Sequence, residues 1–364
     1  MKYDYVIVGS GLFGAVFAQQ MTERGKRCLV LEKRSHTGGN LHCENHEGIW
    51  VHQYGPHIFH THDEGIWNYA NRFVSFNDYV HSPLARVGDR HYNLPFNLNT
   101  FEQVWGVKTA TEAQAIIEQQ RQAIKGKPQN LKEQAIANIG EELYRLFVEG
   151  YTQKQWGKNP EELPASIIQR IPVYYERNNR YFKDRYQGIP IGGYNALTDA
   201  LLKDVEVRTG IDYLDDPAHW NSQAPKVVYT GPLDAYYKYQ FGALEYRSLR
   251  FEHERLEQSV FQPSAQVNYT QASVPYTRIV EHKHFEFGTQ AHTIITREYS
   301  QAWSPGQEPY YPIGDAPNLK RYKQYKALAE QENQLIIGGR LADYRYYDMH
   351  QVIAAALHKA QQVP

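Results

Sequence analysis

The sequence is poor in cysteine and in long apolar runs. Its 364 residues include only two cysteines, Cys28 and Cys43, and neither belongs to a CxxC pair. This excludes a thiolate metal site of the usual spacing and fits a reducing compartment. No run approaches the roughly 18 apolar residues that a membrane-spanning helix needs. The chain begins with a strand pattern rather than a signal peptide, so we expect a cytoplasmic protein without membrane insertion.

The chain also lacks an excess of charge. It has 39 Lys and Arg against 40 Asp and Glu, a formal net charge of −1. The global basic excess expected of a nucleic-acid binder is therefore absent, and we expect no nucleic-acid partner. Aromatic residues are abundant instead, with 29 Tyr and 6 Trp, and such side chains suit surfaces that stack on rings.

The order of patterns predicts an α/β fold. Residues 3–8 and 26–32 have strand character and flank a glycine turn and a helix at 15–24, which together form a βαβ unit. Residues 100–156 carry helical patterns, and residues 244–296 alternate like strands of a separate antiparallel sheet. LIIGGRL then predicts a strand, and Asp348 can cap a last helix.

These patterns predict a discontinuous Rossmann-type FAD-binding domain with two further units. The cofactor domain comprises residues 1–80, 188–243 and 313–364. A helical insertion covers residues 101–173. Residues 81–100, 174–187 and 244–312 form the antiparallel sheet domain, which we expect to serve as a ligand wall.

The clearest chemical motif is a GxGxxG turn at Gly9, Gly11 and Gly14. It follows a strand and opens a helix, the context in which such a turn binds a dinucleotide pyrophosphate. Glu32, at the end of the second strand, would accept hydrogen bonds from the adenosine ribose. The alternative is a glycine turn without a ligand.

Features after this motif favour FAD over NAD. Arg34 and Gly38-Gly39-Asn40 lie just past Glu32, where a flavoprotein bends along its cofactor. Gly338-Gly339-Arg340 would then make a second contact, with free amides facing the flavin ring. An ordinary strand-to-helix turn remains the alternative for that segment.

Histidines and arginines supply the remaining candidates. Six histidines fall between His42 and His62, but carboxylate or thiolate partners are not spaced around them, so we expect flavin-contacting or structural histidines and no metal. Arginines flanked by aromatic residues recur later in the chain and suit a nucleotide diphosphate, although each one alone could be a surface charge. They are Arg170, Arg180, Arg278, Arg340 and Arg345.

Several longer motifs resemble the bacterial UDP-galactopyranose mutase family. They include GSGLFGAV, YGPHIFHT, YNLPFNLNTF, EGYTQKQWG, VPYTRIVEHKHF, EPYYPIG and GGRLADYRYYDMHQVI. The resemblance spans nearly the whole chain and implies that the helical insertion at 101–173 contains a mobile substrate loop. It implies interconversion of UDP-galactopyranose and UDP-galactofuranose on reduced FAD without net redox change. In that reaction flavin N5 attacks the anomeric carbon, UDP leaves, and the N5-sugar adduct opens to an iminium before the ring closes again.

The resemblance also assigns residues. Arg170 and Arg278 would clamp the diphosphate, Arg340 would lie between flavin and substrate, and His60 would lie against the flavin. The other implied substrate contacts are His81, Phe147, Thr152, Trp156, Tyr181, Phe182, Arg247, Asn268, Tyr311 and Tyr346. The implied cofactor contacts, besides the glycines and Glu32, are Leu12, Phe13, Lys33, Gly39, Asn40, His57, His60, Arg340, Tyr347, Asp348 and Met349.

The chain departs from this family at two positions, and two other functions stay open. Val148 stands where relatives often have a second Phe, and His81 where we expect Asn. The alternatives are a flavin oxidase of the amine-oxidase type and a non-catalytic nucleotide-sugar binding protein. The family further implies a homodimer, a reductant such as NAD(P)H, and a product used in cell-surface glycans.

Overall fold

The structure is a computed structural model that describes residues 1–168 and 172–363. Arg170 lies outside the described residues. No helix in the described ranges is long and apolar enough to cross a membrane.

The strands, in chain order, are β1 (Tyr5–Val8), β2 (Cys28–Glu32), β3 (Cys43–His46), β4 (Ile49–His52), β5 (Phe59–Thr61), β6 (Leu84–Val87), β7 (Arg90–Asn93), β8 (Tyr186–Gly188), β9 (Glu206–Thr209), β10 (Lys226–Tyr229), β11 (Tyr246–Leu256), β12 (Gln266–Tyr269), β13 (Arg278–Glu281), β14 (Thr293–Ala302), β15 (Tyr311–Pro312) and β16 (Leu335–Ile337).

The helices are α1 (Leu12–Glu23), α2 (Glu64–Asn71), α3 (Leu98–Trp105), α4 (Ala110–Arg121), α5 (Leu131–Ile139), α6 (Glu141–Leu143), α7 (Gly150–Trp156), α8 (Gly193–Leu202), α9 (Pro217–Gln223), α10 (Leu233–Tyr236), α11 (Ala316–Ala329) and α12 (Met349–Gln361). A π-helical segment, Tyr144–Glu149, joins α6 to α7. Short 3₁₀ turns cover Gly39–Leu41, Pro160–Glu162, Ala165–Ile167, Tyr213–Asp215 and His282–Glu286.

A five-stranded parallel sheet in the order β16-β10-β1-β2-β9 confirms the Rossmann-type prediction. Val6 of β1 pairs with Val227 on one side and Leu29 on the other. All three side chains are almost completely buried, as expected of a parallel sheet covered on both faces. Helix α1 packs against α8 and α12. The helix begins at Leu12, three residues earlier than its apolar pattern predicts.

The predicted second sheet has seven strands in the order β15-β11-β14-β13-β12-β6-β7. The long pair β11 and β14 runs antiparallel from Arg247 opposite Ala302 to Leu256 opposite Thr293. One neighbouring pair differs from the antiparallel expectation, because β12 and β6 run parallel. A parallel pair here joins two strands that are distant in the chain, and this register is invisible to local sequence patterns.

Helices α3 to α7 form the predicted helical region around a core that includes Phe101, Leu131 and Tyr144. The run from residue 131 to 151 looks like one helix in the sequence, but it breaks at Gly140, which has φ of +83°. Residues with side chains rarely adopt this positive φ, so the backbone at the break favours glycine. The predicted domain boundaries stay a prediction.

Candidate functional site

The glycine turn after β1 has the close approaches that the motif predicts. Gly9 has φ of +99°, and a Cβ there would lie 2.3 Å from Thr230 Oγ1. A Cβ on Gly14 would lie 2.1 Å from Gly9 O, so α1 can pack this close to β1 only with glycine. Gly11 is the N-cap of α1 and makes no side-chain capping bond, which leaves the first amides of the helix open to an anion.

Two further glycine segments complete this cradle. A Cβ on Gly39 would lie 3.0 Å from Gly11 Cα, so these two backbones approach closely. Gly338 lies against the Phe13 ring, where a Cβ would come within 2.1 Å of Cζ. The Gly338 amide donates a hydrogen bond to Tyr229 O at 3.3 Å. Contrary to our expectation, this amide is therefore not free to face a flavin ring. Asp348 caps α12 as predicted, since the helix begins at Met349.

Glu32 lies at the end of β2 and is 5% exposed. Its Oε2 accepts hydrogen bonds from Ser10 N at 2.9 Å and Ser10 Oγ at 2.7 Å, and its Oε1 accepts one from Arg34 N at 3.0 Å. The carboxylate therefore ties the glycine turn to the end of β2. Lys33 pairs with Glu308 at 2.9 Å, a partner that sequence motifs did not indicate.

Arg34 provides a test of whether this region suits an anionic cofactor. Its guanidinium lies over the Tyr54 ring at 4.2 Å, and its Nη2 donates to Asn40 Oδ1 at 2.9 Å and to Glu308 at 2.8 Å. Its Nη1 is buried and has no hydrogen-bond partner within the described ranges. A buried, unpaired guanidinium nitrogen beside an uncapped helix N-terminus fits a bound phosphate group.

A cavity of about 870 Å³ lies next to this cradle and gathers most of the predicted site residues. Its lining includes the predicted cofactor contacts Asn40, His57, His60, Arg340, Tyr347, Asp348 and Met349. It also includes the predicted substrate contacts His81, Phe147, Thr152, Trp156, Tyr181, Phe182, Asn268, Arg278, Tyr311 and Tyr346. These residues come from the seven-stranded sheet, from the helical region and from segments beside the parallel sheet, such as Arg340 after β16, so the cavity lies where these parts meet.

Arg278 lines the cavity and is held there by an ion pair. It begins β13 opposite Glu298 of β14, with 2.8 Å between Nη2 and Glu298 Oε2. Burial alone would lower the pKa of Arg278, but the buried Glu298 carboxylate, together with Tyr151 and Tyr311, raises it above its usual value. The Arg278 Nε is buried without a hydrogen-bond partner in the described part of the chain. The guanidinium is thus permanently charged, oriented from one side, and left with a donor for a ligand.

Arg340 complements Arg278. It follows β16 and lines the cavity, and no carboxylate of the described residues lies within ion-pair distance of it. Its charge contributes to lowering the pKa of His57, while that of Arg278 does so for both His57 and His81. Two guanidinium groups therefore act on one cavity, and only one of them is paired.

The cavity histidines are held in defined states. Burial, followed by the charge of Arg340, lowers the pKa of His57 to about 4, and His57 Nδ1 donates to Gly55 O at 2.9 Å. Burial, followed by Arg278, lowers the pKa of His81 to about 3. Both rings are neutral at physiological pH.

His60 lies on β5 and stacks on Phe182 at 3.7 Å between ring centroids. Its Nδ1 lies 2.7 Å from Asp184 Oδ2. Although the sequence spacing gave no metal site, single ligand atoms of His60, Asp348 and His350 lie within 4.8 Å of one another. Asp348 is already the cap of α12 and His60 the partner of Asp184.

Aromatic and amide groups line the other part of the cavity. The π-helical segment carries Phe147, and α7 carries Thr152 and Trp156. Asn268 on β12 accepts a hydrogen bond from Gln266 Nε2 at 2.9 Å. Tyr181 is half-buried, and desolvation of its hydroxyl raises its pKa to about 12 and keeps the hydroxyl protonated. Flat rings beside amides are the groups that bind a nucleobase.

Arg247 is not part of the cavity lining, contrary to its predicted place at the rim. Its Nε donates to Gln155 O at 2.9 Å and its Nη2 to Ser300 Oγ at 3.0 Å. Arg247 is 6% exposed and lies behind the end of α7, because β11 passes under this helix. The sequence prediction also missed Tyr151 and Asp184, both of which line the cavity next to predicted residues.

Comparison with known proteins gives consistent matches. A family model described as UDP-galactopyranose mutase matches residues 146–346, and one described as an NAD(P)-binding Rossmann-like domain matches residues 7–73. A probable UDP-galactopyranose mutase of Klebsiella pneumoniae is 39% identical over 99% of this chain and 94% of its own length. A dTDP-fucopyranose mutase of Escherichia coli is 36% identical over 98% of this chain and 97% of its own. A crystal structure of reduced UDP-galactopyranose mutase superimposes with a TM-score of 0.75 at 16% identity, covering 99% of this chain and 95% of that one.

Proposed function

The chain belongs to the UDP-galactopyranose mutase family of isomerases, and we propose that it interconverts UDP-galactopyranose and UDP-galactofuranose with reduced FAD as cofactor. This reaction exchanges the ring oxygen of the sugar without net oxidation. The bond between the anomeric carbon and the diphosphate must break and form again. The site must therefore hold a leaving nucleoside diphosphate and return it to the same sugar.

The observation that carries this proposal is the position of Arg278 in the cavity. Its charge lowers the pKa of His57 and His81 on the cofactor side, and it also acts on Tyr151 and Tyr181 on the aromatic side. A diphosphate bound to Arg278 would thus have its sugar directed to the histidines and its base to the rings. Its free Nε supplies a charge-assisted hydrogen bond for a phosphate oxygen.

FAD suits the residues of the glycine cradle. The amides of α1 and the buried Nη1 of Arg34 would bind its phosphates, and Glu32 closes the turn behind them. Asn40, His57, His60, Arg340, Tyr347 and Met349 would contact the flavin end. Reduced FAD would supply the nucleophile, which is its N5 atom. A reductant such as NAD(P)H would reduce the bound FAD.

The protein's own side chains bind, orient and stabilise charge. Arg278 and Arg340 would neutralise the departing diphosphate and keep it close for its return, with Arg170 as a third predicted contact. Tyr311 and Tyr346, whose rings lie 5.8 Å apart, would donate hydrogen bonds from their hydroxyl groups to the same phosphates. Phe147, Trp156 and Tyr181 would enclose the uracil, with Thr152 and Asn268 as polar contacts. The family resemblance also supports a cytoplasmic homodimer that supplies galactofuranose for cell-surface glycans.

An anaerobic turnover assay tests the proposal. The purified protein with bound FAD is reduced with dithionite, UDP-galactofuranose is added, and UDP-galactopyranose is followed by chromatography beside an oxidised sample. We expect conversion in the reduced sample alone. Equal conversion in both samples, or none in a reduced protein that binds UDP, would contradict the proposal.

A second candidate substrate is a dTDP-linked 6-deoxy sugar. The E. coli relative named dTDP-fucopyranose mutase is almost as similar to this chain, at 36% identity. Val148 lines the cavity beside Phe147, and its side chain is smaller than the second Phe that relatives often have there, which favours a base with an extra methyl group such as thymine. Turnover of UDP-galactopyranose and dTDP-fucopyranose, measured in competition, decides between them. The ratio of the two kcat/KM values is the readout.

A further inference from the structure

Asp184 contacts His60 from a segment that is distant in the sequence. Strand β8 pairs antiparallel with β5, with Gln187 opposite His60, and this register brings Asp184 next to the histidine ring. Asp184 Oδ2 lies 2.7 Å from His60 Nδ1, and the two side chains are only 17% and 11% exposed. Both residues line the cavity. A short contact between a carboxylate and an imidazole in this partly buried setting is a strong, charge-assisted hydrogen bond.

The orientation of the His60 ring is fixed on several sides. Phe182 stacks on it with an interplanar angle of 10°, and His350 contacts it edge-on at 5.2 Å. Because a carboxylate only accepts hydrogen bonds, His60 Nδ1 must carry the proton between them. Nε2 is therefore the nitrogen left for a ligand, and it has no hydrogen-bond partner within the described ranges. This is the arrangement by which a carboxylate prepares a histidine to take a proton.

The same carboxylate also contacts a histidine at the surface. Asp184 Oδ1 lies 3.3 Å from Nε2 of His62, a side chain that is 68% exposed. Asp184 thus accepts a hydrogen bond from His60 Nδ1 with one oxygen and contacts His62 with the other, so its carboxylate lies between the cavity and the surface.

The charged groups around His60 determine how favourable a second proton on its ring would be. Asp184 favours that proton directly. Asp348, at the N-terminus of α12, favours a positive charge, whereas the rings of His62, His81 and His350 and the N-terminal end of α12 disfavour further positive charge. A new negative charge in the cavity would shift this balance toward protonation.

We propose that Asp184 is a positioning residue that makes His60 take up a proton when the bound flavin is reduced. This rests on the proposed function, since it requires FAD in the cradle. Reduction of bound FAD to its anion consumes two electrons from the reductant and one proton. His60 Nε2 binds a second proton, which comes from solvent that reaches the cavity, and the imidazolium, held by Asp184 at Nδ1, then offsets the negative charge of the reduced flavin.

Proton uptake during reduction tests this directly. The holoenzyme, in weakly buffered solution near neutral pH with a pH indicator, is reduced under anaerobic conditions by a measured amount of dithionite, after correction for the protons that dithionite itself releases. We expect about two protons per flavin for the wild type and about one for Asp184→Asn. The count is expressed per bound flavin from the absorbance spectrum, so partial loss of FAD does not affect it.

Two further variants keep the test decisive. His60→Gln should also reduce the count to about one with Asp184 intact, which covers the case in which Asp184→Asn does not fold. His62→Gln, the matched control at the surface, should keep about two protons per flavin, because His60 and Asp184 both remain. One proton in the wild type, or two in Asp184→Asn or His60→Gln, would overturn the proposal. No sugar nucleotide is present, so failure of the isomerase proposal would appear separately in the turnover assay.

Discussion

At the scale of single residues, glycines and buried charges decide what the site can bind. Gly14 and Gly11 belong to the same motif but differ in their surroundings. A Cβ on Gly14 would collide with Gly9 O at 2.1 Å, whereas a Cβ on Gly11 would meet nothing closer than Gly39 Cα at 4.0 Å. Gly14 is therefore needed for the fold, whereas we expect Gly11 to be needed for binding the ligand.

Alanine substitutions separate these two roles. We expect Gly14→Ala to destabilise the protein by several kcal/mol, about the range of severe backbone clashes, since α1 must move away from β1. Gly11→Ala should leave the free energy of unfolding of the apoprotein within about 1 kcal/mol of wild type but lower FAD affinity at least about tenfold. Urea unfolding and FAD titration measure the two effects. Equal loss of stability in both variants would contradict this account.

Arg278 acts on the ligand through the geometry of its guanidinium. Arg278→Lys keeps a positive charge beside Glu298 but removes the planar fork that binds phosphate. We expect kcat/KM to fall about 100-fold while the urea midpoint changes little. Arg250→Lys is the matched control, because Arg250 is an exposed arginine of β11 that pairs with Glu252. An activity of Arg278→Lys close to that of Arg250→Lys would remove Arg278 from the diphosphate site.

At the scale of elements, helix α7 is held in place by two cations, the buried Arg247 and the half-buried Lys154. Lys154 Nζ donates to Tyr269 O at 2.6 Å and to Tyr276 O at 2.9 Å, which ties the helix to the loop between β12 and β13. Arg247 holds Gln155 O next to Trp156. The helix carries Thr152 and Trp156 into the cavity, so these anchors position the proposed base pocket.

Removing the Arg247 anchor should affect ligand binding although Arg247 does not line the cavity. Arg247→Met removes one of the two side-chain hydrogen bonds to Gln155 O at the end of α7 and leaves the one from Ser300 Oγ, while Lys154 still anchors the helix. We expect the Kd for UDP to rise about tenfold, with FAD binding unchanged. Isothermal titration calorimetry with UDP and the flavin absorbance measure the two quantities. An unchanged Kd would show that α7 keeps its position without Arg247.

The burial of Lys154 gives a specific pH dependence. Burial lowers the pKa of Lys154 from 10.5 to about 8. Between those values the unfolded chain keeps the proton that the folded protein has lost, so the contribution of Lys154 to stability rises with pH; below about pH 8 the cost of burying the charge is fully present.

The difference between wild type and Lys154→Met isolates this effect. We expect the stability difference, measured by urea unfolding, to shift in favour of wild type as pH rises from about 8 to about 10. The exposed Lys158→Met serves as control and should give a flat difference. A flat difference for Lys154→Met would show that its two carbonyl partners keep Lys154 charged.

At the scale of the whole molecule, features that depend on neighbouring residues were predicted better from the sequence than contacts between distant segments. The βαβ unit, the GxGxxG turn and the last helix depend on neighbouring residues, and the structure confirms them. The side chains that line the cavity were assigned through the family resemblance, and most of them do converge. Local patterns did not show the parallel pairing of β6 with β12 or the break at Gly140.

The missed residues share one physical cause. Asp184 is 124 residues away from His60 in the chain, and only the pairing of β5 with β8 brings the two together. Arg247 looks like a rim arginine in the sequence, but the path of β11 under α7 turns it toward a backbone carbonyl. Contacts of this kind depend on tertiary register, which no spacing within one segment encodes.

The central claim is that the bond between sugar and diphosphate breaks while the arginine groups keep the diphosphate in place. Positional isotope exchange measures this directly. UDP-galactopyranose with a heavy-oxygen label in the bridge between the anomeric carbon and the β-phosphate is incubated with the reduced protein, and recovered substrate is analysed by phosphorus NMR. We predict that the label spreads to the non-bridging β-phosphate oxygens in the reduced sample only. Turnover in which the label stays in the bridge would contradict the account.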